Sequence, residues 1–114
     1  MSLFSITAAS VIDDSELSEL LRQDANQQRQ ERAAARQSLH ELRSTVKKLE
    51  RQIEQGSEQL KALESRLADT ETYAQMPADE LSELLTDAAT ARKNLETLEE
   101  RWLNVSAELE AELT

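Results

Sequence analysis

Apolar residues recur along two stretches of the chain at alternating intervals of three and four. The first stretch runs Leu39, Leu42, Val46, Leu49, Ile53, Gly56, Leu60, Leu63 and Leu67, with Gly56 in one seam slot. The second runs Leu81, Leu84, Ala88, Ala91, Leu95, Leu98, Trp102, Val105 and Leu109. Such spacing keeps a narrow stripe on one side of a helix, so each stretch predicts a coiled-coil helix. Two amphipathic helices of a larger globule would carry wider apolar faces. Between the stretches lies "ADTETYAQMPADE". Pro77 suits a helix start and Asp79 and Glu80 suit the dipole there, so a loop at about 70–77 is expected before the second helix. Matched helices joined by a short loop fold back on each other. The predicted fold is therefore all-α, a two-helix antiparallel coiled-coil hairpin. Tyr73, Met76 and Pro77 fall at its tip, where Tyr73 and Met76 either pack together or stand out as contacts for a partner.

Side-chain volume argues for one register. With Thr70 facing Leu81, Gly56 meets Leu95, Leu49 meets Trp102 and Leu63 meets Ala88, so small residues oppose large ones. A slip of one heptad would set Gly56 against Ala88 and leave a poorly filled waist, which dense interiors disfavour. Gly56 then has two readings, a hinge or an accommodation of the opposing leucine, with the second preferred. Trp102 anchors the register as a seam residue, and its indole N–H is expected to find an outlet at the edge of the seam.

Upstream, "VIDDSELSELL" has the marks of a helix start. Asp13 is placed to cap, with Glu16 three residues on, and Ile12 and Leu17 are spaced as a hydrophobic staple. No breaker follows for some forty residues, so the first helix extends well before the hairpin. The division expected is a tail or linker at 1–14, an N-terminal overhang of the first helix at 15–37, and the hairpin at 38–114. The seam continues through the overhang as Leu21, Ala25, Gln28, Arg32 and Ala35, too polar for a strong core. This segment frays, pairs with another copy, or docks on a partner.

Composition agrees with long helices. The 114 residues include one glycine, one proline and three aromatics, whereas sheets need turns and β-branched or aromatic packing. Without cysteine there is no disulfide or thiol chemistry. No apolar run approaches the ~18 residues of a spanning helix, so no membrane contact is expected. The opening "MSLFSITAASVI" has no basic leader region and makes a poor signal peptide, so a cytoplasmic location is expected. A phosphate loop needs several glycines. The single His40, expected to be solvated on a flank of the seam, excludes a metal site of His or Cys ligands. Carboxylates on a solvated helix lack the burial that tunes a catalytic pKa. Neither catalysis nor a cofactor is expected of this chain.

Charge changes the picture more. The net value is −10, yet residues 22–51 carry 8 basic residues against 4 acids, while residues 61–114 carry 13 acids against 5. Arg22, Arg29, Arg36 and Arg43 recur every seven residues, flanked by Arg32, Lys47, Lys48 and Arg51. On a straight helix they would form a basic band about 40 Å long. One reading is a surface that tracks the phosphates of RNA or DNA. The other is pairing with the acidic second helix from the flanking positions of the coiled coil. The scarcity of base-stacking aromatics and the acidic net charge favour the second.

Three pieces of the sequence carry a family likeness: a leucine-heptad helix closing in "KALESRLADTETYA", then Pro77 opening "PADELSELL", then "LETLEERWLNVSAELE" with its Trp-Leu pair. In this order they resemble the C-terminal coiled-coil domain of ABC-F ATPases of the Uup and YheS kind, over about residues 38 to 112. The resemblance implies a parent protein with two ATP-binding cassettes, which would hold ATP and Mg and hydrolyse the nucleotide. It also implies a role for the hairpin as an arm beside the cassettes that helps place the ATPase on a ribosome or another nucleic-acid-rich target. The acidity of the second helix departs from the basic tail expected of a DNA binder, and this weakens the DNA version more than the ribosome version. A module for protein–protein contact, or a spacer, is the alternative.

Overall fold

The computed structural model describes residues 13–114; the tail expected at 1–14, up to residue 12, and the Ile12 half of the staple lie outside the described residues. Three helices follow in order, α1 at Asp14–Ala68, α2 at Thr70–Gln75 and α3 at Ala78–Leu113. The fold is all-α. The chain divides into two compact units, one ending at Ser38 and the other running Leu39–Thr114, so the boundary falls inside α1.

The first unit is described from its cap onward. Asp13 starts α1: its carboxylate accepts from the Ser15 amide at 3.2 Å, and its carbonyl accepts from the Leu17 amide at 2.9 Å. The first bond occupies an amide that a helix start leaves unpartnered, and the second is the first bond of the helix itself. Every side chain from Asp13 to Gln37 is exposed. Leu17, Leu20 and Leu21 are 47%, 53% and 63% exposed. The polar seam expected there buries nothing within this unit.

The second unit is the antiparallel hairpin. All eighteen seam positions are half-buried or buried, from Leu39 to Leu67 on α1 and from Leu81 to Leu109 on α3. Leu49, Leu84 and Ala88 alone among the described residues count as a closed core, at 2%, 4% and 2% exposure. Two helices share one interface, so most seam side chains keep one edge in water. A cross-helix contact fixes the layers: Leu95 Cδ1 lies 3.5 Å from where a Cβ on Gly56 would sit. One turn away, Arg92 reaches Glu64 at 3.4 Å from the flank.

Three details differ from the sequence expectation. The segment expected as a loop at about 70–77 contains α2. Asp69 causes this, because it receives the end of α1 (Asp69 amide to Ser65 carbonyl, 3.2 Å) and caps α2 through bonds from the Glu71 amide at 3.2 Å and the Thr72 hydroxyl at 2.9 Å. Only Met76 and Pro77 separate α2 from α3. Pro77 is the residue before α3, and its carbonyl accepts from the Leu81 amide at 3.0 Å.

At Gly56, α1 passes without a break, and a Cβ would make an ordinary van der Waals contact with Leu95. Leu95 therefore faces this position without requiring glycine, which removes the steric reason preferred from the sequence. Trp102 is half-buried in the seam, and its indole Nε1 is buried with no hydrogen-bond partner instead of reaching an outlet at the edge. One turn further along α3, the Ser106 hydroxyl is buried and unpartnered too.

Candidate functional site

The basic residues singled out in the sequence are all exposed. In the first unit these are Arg22, Arg29, Arg32 and Arg36. Arg22 bonds Glu19 at 3.0 Å, three residues back, and Arg29 bonds the Asn26 side-chain amide oxygen. In the hairpin unit the α1 cations are Arg43, Lys47, Lys48 and Arg51. Among the described residues none of these four forms an ion pair with α3. The cross-helix pair that does form has the opposite polarity, with Arg92 from α3 and Glu64 from α1.

Register bears on this. With Gly56 opposite Leu95 and Glu64 paired with Arg92 on one flank, the flanking counterpart of Arg43 on α3 is Leu113, and that of Arg101 on α1 is Thr45, so neither cation has an acid as its counterpart. Local spacing points the same way. Glu–Lys or Glu–Arg pairs on one helix need separations of three or four. Arg29, Arg32, Arg36, Arg43 and Lys48 have no Asp or Glu at either separation on either side. In a chain with 23 acids, these five cations are placed away from the partners that would neutralise them. Lys47 and Arg51 do have such neighbours, in Glu50 and Glu54, and the four side chains line one shallow cleft.

Around Gly56 the two helices leave an open groove of about 560 Å³, with Gly56, Ala91 and Leu95 at its floor and Gln52, Gln59, Asp87 and Asn94 among its walls. Its walls carry amides, the Thr90 hydroxyl and one carboxylate. A second cleft gathers Arg66 with Glu80, Glu83 and Asp87, an ordinary charged flank. A third cavity, of about 230 Å³, is lined by Thr45, Lys48, Leu49 and Gln52 from α1 and by Arg101 from α3. It holds two cations and no carboxylate. Reasoning confined to the basic band of the first helix passes over Arg101. The signal that finds it is the pairing of Thr45, a neutral residue, with a flanking arginine.

At the tip, Tyr73 is 46% exposed and Met76 is half-buried, with Pro77 exposed beside them. His40 is exposed. Among the described residues no helix is long and apolar enough to cross a membrane, and no group of three or more His, Cys, Asp or Glu is placed to hold a metal ion.

A family model described as ABC transporter C-terminal domain matches residues 36–107, which include all but Leu109 of the hairpin seam. The chain belongs to that family. The match begins within three residues of Leu39, where the hairpin unit starts, so the family domain and the structural unit nearly coincide. No curated protein and no solved structure matches it. As an ABC transporter C-terminal domain, the hairpin is an accessory element of an ABC protein.

Proposed function

We propose that this chain is the coiled-coil accessory domain of an ABC-F ATPase and that it helps to place the ATPase on a ribosome or another nucleic-acid-rich target in the cytoplasm. ATP and Mg are handled by cassette domains of the parent protein, and the hairpin supplies contact and reach. The basic side chains of α1 make that contact. The observation that carries this reading is the isolation of Arg29, Arg32, Arg36, Arg43 and Lys48 from carboxylates at helical pairing distance. Charges that serve only to staple a coiled coil are set opposite partners. Charges left unpaired on an acidic protein suit phosphates, whose counterions are released when cations replace them.

Co-sedimentation of the chain with ribosomes across a salt series tests this, with a variant in which Arg29, Arg36, Arg43 and Lys47 are changed to Gln. Binding that falls steeply with salt, and that the variant loses, is the expected result. No binding at low salt would remove the phosphate-contact role. One observation favours a second reading, a protein-contact module. Leu17, Leu20 and Leu21 sit together on the exposed first unit, and a partner helix or a second copy pairing through residues 15–37 would cover them. Binding that resists salt and is lost on changing these leucines to Ser would select it.

A further inference from the structure

We infer that the hairpin carries a phosphate-group site of its own, formed across the two helices by Lys48 and Arg101 over a floor of Leu49. The inference stands on the geometry of that cavity. It rests on the reading above only in assigning the phosphate to a nucleic-acid backbone.

Three observations converge. The first is the composition of the cavity: Lys48 and Arg101 are its charged members, Thr45 and Gln52 are half-buried polar walls, and Leu49, at 2% exposure, closes the bottom. The cleft at Arg66 in the same hairpin is lined differently, with three carboxylates beside one cation.

The second is register. Arg101 occupies a flanking position of α3 whose counterpart on α1 is Thr45. A glutamate at 45 would complete an ordinary interhelical pair. Thr45 instead donates its hydroxyl to the Glu41 carbonyl at 2.9 Å, so it offers Arg101 no negative charge. The third is local sequence. Residues three and four away from Arg101 are Leu98, Thr97, Asn104 and Val105, and those around Lys48 are Thr45, Ser44, Arg51 and Gln52. Neither cation meets a carboxylate along its own helix, and among the described residues neither forms an ion pair across the hairpin.

Two exposed cations from different helices, with no ion pair to either, thus line one niche over a buried floor. Its ligand is a tetrahedral oxyanion. The planar Arg101 guanidinium can hold two phosphate oxygens while Lys48 supplies a point charge, and the Gln52 amide can donate a further bond. Because Arg101 comes from the acidic helix, the niche extends phosphate contact beyond the basic residues of α1 and orients the hairpin on a backbone instead of letting it slide.

The test uses the full chain with Arg101→Gln, Lys48→Gln and their combination, beside Lys61→Gln and Lys93→Gln as exposed cations outside the niche. Circular dichroism melts confirm that each variant is folded. In the first arm, amide chemical shifts are followed as inorganic phosphate is added. Shifts gathered at residues 45, 48, 52 and 101, and abolished in the double variant, are expected; no shift, or shifts spread evenly over all cations, would overturn the site. In the second arm, affinity for a 20-nucleotide RNA stem-loop is measured at several salt concentrations. Arg101→Gln and Lys48→Gln should each weaken binding several-fold and lower the salt slope by about one, with the two control variants close to the parent. RNA binding that is lost with the α1 band but indifferent to Arg101 would refute the RNA assignment of the niche while leaving the proposed function standing. Phosphate shifts at the niche without RNA binding would keep the site and reject the nucleic-acid reading.

Discussion

The hairpin unit and the helical stretch before it share the same rhythm of seam positions, and they differ in kind at two of the earlier slots, Gln28 and Arg32. From Leu39 onward the seam is filled by Leu, Ile, Val, Ala and Trp, with Gly56 in one slot, and every slot loses water. Before Leu39 the corresponding slots hold Leu21, Ala25, Gln28, Arg32 and Ala35, and every side chain from Asp13 to Gln37 is exposed. A helix needs only local bonds and a cap, and Asp13 provides the cap. A tertiary interface needs a continuous apolar stripe, and Gln28 and Arg32 interrupt it, because burying them unpaired would cost more than the neighbouring alanines return. The comparison teaches that secondary structure alone does not mark the domain. The family match, at residues 36–107, follows the change in seam composition instead of the ends of α1.

The sharpest way to break the contrast is at its best-buried point. Leu49→Ala removes a side chain that is 2% exposed and should cost about 2–5 kcal/mol, whereas Leu21→Ala, in the exposed stretch, should change the melting temperature little. Equal losses at the two positions would mean that the first stretch is packed in solution.

Trp102 gives the next effect. Trp102→Ala should destabilise by about 2 kcal/mol, less than for a fully enclosed ring. Trp102→Phe should fall close to the parent in a thermal melt, because it removes the buried, unpartnered Nε1 donor along with part of the ring. A Phe variant as damaging as Ala would show that the indole N–H has an acceptor.

Asp69→Ala should cost about 1 kcal/mol by uncapping α2, read as a lower midpoint in urea. Gly56→Ala should stabilise by up to about 1 kcal/mol, since the helix gains propensity and the new methyl meets Leu95 at an ordinary distance. Destabilisation there would restore a steric demand for glycine.

Much of this molecule is legible from spacing. The 3-4 repeat marks each seam residue, because in a two-helix structure the buried positions are the periodic ones. The tip is less legible. Asp69 ends one helix and begins another through bonds that depend on its backbone angles, φ −77° and ψ 102°, and composition does not encode these. The unpartnered Nε1 of Trp102 is invisible for the same reason, since it depends on which way the ring turns. The basic residues of α1 are plain in the sequence, but their lack of partners depends on register: Thr45 meets Arg101 only once Gly56 is set against Leu95.

Region-resolved amide hydrogen exchange on the isolated chain tests the contrast most directly. The account predicts slow exchange through the seam-bearing parts of α1 and α3, with residues 14–37 exchanging faster by orders of magnitude, since helix without packing opens readily. Equal protection on both sides of Ser38 would contradict it, and would mean that the first stretch has found a partner, such as a second copy of itself.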